Sequence, residues 1–235
     1  MFQGFDPQVV DFLWGIRFNN EKSWFEEHKQ EYLDHLYTPM KALNRQVYEA
    51  LEEEIQGLGL TAKVSRIYRD ARRLHGRGPY KDHLWCAIER PRGPFEGGIT
   101  FWFELAPEGY SYGLGYWDMP ALTAAKFRAR LDRDPKPFEK LARSLKKRPD
   151  LLLKGAEYKR SKGPAPSKLL EDWYNRKSFS ISREGGYEEK LYRPELADEV
   201  LETYRFLLPF CRYFLLLDGD PDPSSAQSPH RSASA

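Results

Sequence analysis

The spacing of hydrophobic and polar residues changes twice along this chain, dividing it into helices, then strands, then helices again. The first stretch repeats every three to four residues. Val9, Phe12, Leu13 and Ile16 make one apolar stripe behind Asp6-Pro7. Asp6 can cap this helix, and Pro7 sits where a missing N–H has no helical partner to lose. Asn19-Asn20 ends that helix and opens the next, which carries Trp24, Phe25, His28, Tyr32, His35 and Leu36 at a spacing near four. The stripe of Trp24, His28 and Tyr32 is expected to pack on a sheet. Pro39, which has no backbone donor, should break or kink the run. Met40, Leu43, Val47, Leu51 and Ile55 mark a third helix that stops at Gly57 and Gly59.

From residue 64 the period becomes two. Val64, Arg66 and Tyr68 alternate with Ser65 and Ile67, and Leu84, Cys86 and Ile88 alternate with His83, Trp85 and Ala87. Ile99, Phe101, Phe103 and Leu105 oppose Thr100, Trp102 and Glu104. In the next run Tyr110, Tyr112, Leu114 and Tyr116 oppose Ser111, Gly113 and Gly115. Alternation with aromatic and β-branched residues, joined by short Gly/Pro connectors, predicts antiparallel hairpins. The helical period then returns over Pro120 to Asp132, Pro135 to Lys147 and a long last helix from Pro194, which Pro209 should kink. Ser178 to Ser182 reads as one more strand. The order predicts an α+β fold, an antiparallel sheet of at least four strands with helices packed mainly on one face. Residues 1–218 are read as one domain, and 219–235, with no apolar face, as a disordered tail.

With 40 % hydrophobic and 14 % aromatic residues the chain can bury a core. No apolar run reaches the length of a membrane span, and the start lacks the pattern of a secretory signal. Two cysteines, Cys86 and Cys211, do not make a disulfide framework, so a cytoplasmic protein with reduced thiols is expected. Cys86 shares the face of Leu84 and Ile88 and reads as core. His75, His83 and Cys86 lack paired metal spacing, so no metal is assigned. No GxxxxGK[ST], GxGxxG, GxSxG or HExxH is present, and no cofactor is expected.

Charge redraws this picture in one place. The chain has a formal charge of +2, yet Lys63 to His83 holds Lys63, Arg66, Arg69, Arg72, Arg73, Arg77 and Lys81 against Asp70 and Asp82 alone. Guanidinium groups grip carboxylates and phosphates two bonds at a time. Arg66, Arg69, Arg72, Tyr80 and Lys81 are therefore the candidate binding residues for an anionic small molecule, with Gly78-Pro79 as the turn that gathers them. A second reading is an enzyme at the same place, with His28 or Asp70 carrying a proton. A third is nucleic-acid binding by residues 126–183, where 18 basic residues face 7 acidic ones. There Phe127, Phe138, Tyr158, Trp173 and Tyr174 interleave with the cations.

The order of short motifs resembles a widespread group of bacterial conserved hypothetical proteins, domain of unknown function 2461. The matching residues are Phe2-Gln3-Gly4-Phe5, Asn19-Asn20, Trp24-Phe25, His28-Lys29, Tyr32, Pro39, Arg69-Asp70, Arg72 and Pro79-Tyr80-Lys81, and the resemblance spans roughly residues 2–217. The chain departs from the family pattern between Arg72 and Pro79: it has RRLHGRGPYK where relatives look like RFSKDKTPYK, without an acid in that loop. The resemblance carries no assigned reaction.

Overall fold

The computed structural model describes residues 1–70, 72, 76, 78–91, 93 and 96–227. Arg73, His75 and Arg77 of the basic segment lie outside the described residues. The chain divides into two compact units. The first comprises Met1–Pro91, Thr100–Leu114 and Ser182–Leu207; the second comprises Arg92–Ile99, Gly115–Ile181 and Leu208–Ala235. No helix among the described residues is long and apolar enough to cross a membrane.

The fold is α+β. Strands β1 (Thr61–Val64), β2 (Leu84–Glu89), β3 (Thr100–Ala106), β4 (Gly109–Tyr116), β5 (Leu152–Lys154) and β6 (Phe179–Gly185) form a six-stranded antiparallel sheet in the order β1-β2-β3-β4-β6-β5. The run at Ser178 to Ser182 is thus a sheet strand, while β5 escaped the pattern because three residues show no period. Cys86 pairs with Phe103 and Ile88 with Phe101, so the apolar members of β2 and β3 fall on one face.

In the first unit that face is covered by helices. α1 (Gln8–Phe18) buries Val9, Phe12, Leu13 and Ile16, the four residues of its stripe. α4 (Thr38–Ile55) buries Met40, Leu43, Val47, Leu51 and Ile55 and packs on β1 and β2. It also buries Asn44, whose Nδ2 donates to the Lys63 carbonyl at 2.9 Å. α8 (Leu196–Leu215) sets Tyr204 against Phe101, ring centres 4.9 Å apart. Phe5 stacks on Phe103 at 5.8 Å. Gly4 makes this possible: its φ of +99° suits glycine, and a side chain there would strike the Tyr192 carbonyl.

The second helical stripe is placed differently from expectation. α2 (Lys22–Glu27) ends at His28, α3 (Lys29–Glu31) is a single turn, and a π-helical turn over Tyr32–Tyr37 leads into α4. Pro39 cannot donate to the carbonyl four residues back and crowds it; a widened turn just ahead relieves both. Trp24 packs on α1 rather than on the sheet. It lies 5.8 Å from the Phe12 ring and leaves no room for a side chain at Gly15. The buried member of α2 is Phe25.

The second unit is built round aromatic rings. α5 (Ala121–Arg133) supplies Phe127 and α6 (Lys136–Lys146) supplies Phe138, 5.0 Å apart and edge-on. Phe138 meets Trp173 of α7 (Glu171–Tyr174) at 4.9 Å, and Phe179 meets Phe214 at 4.7 Å. α8 runs through Pro209 as a single helix. The expectation that structure ends at residue 219 needs correction for 219–227. Arg130 donates to both oxygens of Asp220, at 2.6 and 2.7 Å, and Pro223–Gln227 forms a 3-10 helix in contact with α5. A charge-assisted two-pronged bond fixes a segment that has no apolar stripe to announce it. Residues 228–235 lie outside the described ones.

Candidate functional site

The basic segment is an irregular arm that prolongs β1 and β2. Ser65 N–H donates to the Trp85 carbonyl at 2.8 Å, Lys81 N–H to Ile67 at 2.7 Å, and Arg69 N–H to Pro79 at 2.7 Å. Tyr68 and Tyr80 form an isolated antiparallel bridge. The regular strand stops at Val64, not Tyr68, because the register slips there. Val64 pairs with Cys86 but Tyr68 with Tyr80, so residues 65–67 face residues 81–85. The surplus falls between the Lys81–Ile67 and Ser65–Trp85 bonds, where Arg66 alone faces Asp82, His83 and Leu84, and a bulge turns side chains away from the ladder's alternation.

Asn20 locks the arm's far leg. Its Nδ2 donates to the Tyr80 carbonyl and its Oδ1 accepts from Tyr80 N–H, both at 2.9 Å, the pattern of a neighbouring strand made by one side chain. Gly78 is required beside it, since a Cβ there would overlap Asn20 Oδ1. The Tyr80 ring is 3 % exposed and stacks on Phe25 at 4.3 Å, so it fastens the arm to α2 and does not stand open to a ligand.

The charged residues divide into paired and unpaired ones. Asp82 takes Arg17 Nε at 2.7 Å, His83 Nδ1 at 3.1 Å and Arg69 Nη2 at 3.6 Å. Burial pushes its carboxyl up, but the hydrogen bonds from Arg17 and His83 outweigh that and hold it below the ordinary carboxylate value. Arg69 also donates from Nε to the Tyr80 carbonyl at 2.6 Å, which makes it a brace of the arm. Arg72 donates from Nε and Nη2 to the two oxygens of Asp70, at 3.0 and 2.8 Å, at the exposed tip. Arg69 and Arg72 therefore do not converge: one serves the base and the other the tip.

Arg66 and Lys81 remain. Arg66 is exposed and forms no ion pair with a described residue. Lys81 is half-buried, with Nζ 5.6 Å from the centre of the Trp85 ring and no ion pair among the described residues. Burial lowers the pKa of its ammonium, and the nearby charges of Arg69 and Arg66 lower it further. Lys63 Nζ lies over the same ring at 5.2 Å, and it also pairs with Glu89.

The residue that sequence reading passed over is Glu104. It stands opposite Trp85 in the β2–β3 register, on the sheet face away from Phe103. It forms no hydrogen bond or ion pair with a described residue. Burial raises its pKa, against the pull of His83 and Lys81 and helped by Asp82. The signal was available: an acid at a polar position inside the run Phe101-Trp102-Phe103-Glu104-Leu105. No such signal existed for Arg17, since its bond to Asp82 joins residues 65 positions apart.

The proposed proton carriers are both engaged elsewhere. His28 Nδ1 bonds the Trp24 carbonyl at 2.8 Å, and its ring stacks on Trp24 at 4.0 Å, with no bond to the arm among the described residues. Asp70 is held by Arg72. Burial pushes the Cys86 thiol up to about 12, the behaviour of a core residue. No three His, Cys, Asp or Glu side chains among the described residues gather as a metal site. In the basic segment 126–183, Phe127, Phe138, Trp173 and Tyr174 are buried. Only Tyr158 of the five is partly exposed, and Arg128 and Lys162 lie over its ring at 5.5 and 4.8 Å.

These observations define an α+β protein with a basic arm that prolongs two strands of its sheet and lays Lys81 over Trp85. The chain belongs to the family of conserved hypothetical proteins DUF2461, whose model matches residues 8–213. Comparison with curated proteins finds no match.

Proposed function

We propose that the protein binds a small anionic molecule, bearing phosphate or carboxylate, at the base of the arm through Arg66 and Lys81. The observation that carries this reading is the division of cations. Arg69 and Arg72 each have a carboxylate partner, whereas Arg66 and Lys81 have none among the described residues. The Arg66 charge is near enough to lower the pKa of the half-buried Lys81 ammonium, so the empty site is raised in free energy. An anion relieves both the repulsion and the lost hydration. Arg69 and Asn20 contribute by holding the arm's backbone in place, and Arg72 contributes nothing at the tip. This narrows the expected set of Arg66, Arg69, Arg72, Tyr80 and Lys81 to two contact residues.

Phosphate or sulfate titration followed by thermal unfolding tests it, because a ligand of the native state alone raises the melting temperature. Wild type and Arg72→Ala should rise equally. Arg66→Ala and Lys81→Ala should each weaken the apparent affinity by about tenfold, the loss of one charge-assisted bond. An equal rise in wild type, Arg66→Ala and Lys81→Ala would remove the reading.

A further inference from the structure

Glu104 and Lys81 carry opposite charges on one face of the first unit, close enough for each to bias the other's protonation, yet they do not pair. Lys81 instead rests its ammonium over Trp85, the residue directly across the ladder from Glu104. The acids and bases nearby do not supply what is missing. Asp82 is occupied by Arg17, Arg69 and His83; Lys63 is occupied by Glu89. On β4 the residues alternating with Tyr110 and Tyr112 are Ser111 and Gly113, which put little bulk on the Glu104 side of the sheet.

A partly buried carboxylate without a partner is costly, and natural structures usually supply one. Resting on the anion-binding reading above, we propose that Arg66 and Lys81 are one end of a two-ended site and Glu104 is the other. The ligand class this selects is a small dipolar molecule with a phosphate or carboxylate at one end and an ammonium group at the other. Its anionic end meets the two cations and its ammonium end meets the Glu104 carboxylate, so both unpaired groups are satisfied by one molecule.

The probes are 2-aminoethyl phosphate and ethyl phosphate, which share an anionic end and differ at the other. Melting temperature is followed against concentration of each at neutral pH. Wild type should bind 2-aminoethyl phosphate about tenfold more tightly than ethyl phosphate, the increment of one added charge-assisted bond. Glu104→Gln, which keeps the shape and removes the charge, should abolish most of that preference while binding ethyl phosphate as well as wild type or better. Equal affinity of wild type for the two esters, or a preference that survives Glu104→Gln, would overturn the two-ended site and leave the anion site standing. A wild type stabilised by neither ester would overturn the anion site and this inference together.

Discussion

The two faces of the sheet in the first unit are made by the same strands, one residue apart, and they obey different rules. On one face Leu84, Cys86 and Ile88 of β2 lie against Leu105, Phe103 and Phe101 of β3, each no more than 1 % exposed. On the other, Trp85, Ala87 and Glu89 lie against Glu104, Trp102 and Thr100. The first face is pure packing, closed by α4 and α8. The second is chemical: Thr100 Oγ1 donates to Glu89 at 2.7 Å, Lys63 and Lys81 lie over Trp85, and Glu104 has no hydrogen bond or ion pair among the described residues. Alternation alone separates residues that stabilise from residues that can bind, because period two sends neighbours to opposite faces.

The sharpest test of this division exchanges one residue on each face. Phe103→Ala removes a ring that stacks on Phe5, Tyr110 and Tyr112 and is fully buried, and should destabilise the protein by about 3–5 kcal/mol. Trp85→Ala should cost far less, since the residue is partly exposed and its ring lies under the Lys63 and Lys81 ammonium groups. Denaturant unfolding of the two variants measures the contrast. Comparable losses would mean that the second face is core as well.

How much of this was legible in the chain follows from the range of the forces involved. The stripes Val9–Ile16 and Met40–Ile55, and the faces of β2 and β3, were readable because burial imposes a period on local sequence. The basic arm was readable as composition, but not the split of its arginines. Arg72 finds Asp70 two residues away, whereas Arg69 finds Asp82 only across the arm, and Arg17 reaches Asp82 from α1. Trp24 was assigned to the sheet because helical spacing says which residues share a face and not what that face meets. Glu104 was visible as a polar position in β3; that no described residue pairs with it is a property of three dimensions.

Asp82 sits where the two kinds of region join, and its loss should produce the second-largest effect. Asp82→Ala leaves Arg17 with Glu108 as its remaining carboxylate and frees His83 and Arg69, which loosens the bulge beside Lys81. With a fifth of the side chain exposed, solvent screens part of the loss, and the cost should be roughly 1–2 kcal/mol. The sign with pH follows from its lowered pKa. The carboxylate's contribution is fully present above the ordinary carboxylate range and disappears as pH falls through the lower folded value. The stability gap between wild type and Asp82→Ala should therefore be constant near neutrality and close in acid. A gap that persists unchanged at the lowest pH would mean that the side chain acts by packing and not by charge.

The smallest effect should run in the opposite direction. Glu104 is a carboxylate that no described residue satisfies, so Glu104→Gln should make the protein slightly more stable at neutral pH, by less than about 1 kcal/mol, because the group is partly wet. Its folded pKa is raised, chiefly by burial, with Asp82 adding to the rise and His83 and Lys81 opposing it. For a raised pKa the stabilising form is the protonated one. That stability is complete below the ordinary carboxylate value and is lost as pH rises through the raised folded value. The advantage of the glutamine variant should therefore be absent in acid, appear between the ordinary and the raised pKa, and remain constant above. Melting curves of the two proteins across that window read it directly. If Glu104→Gln is instead less stable at neutral pH, the carboxylate has a partner in solution, and the polar face is balanced internally as the apolar face is. If the gain appears in that window, the protein retains a group that works against its own stability, as expected of a residue kept for a ligand.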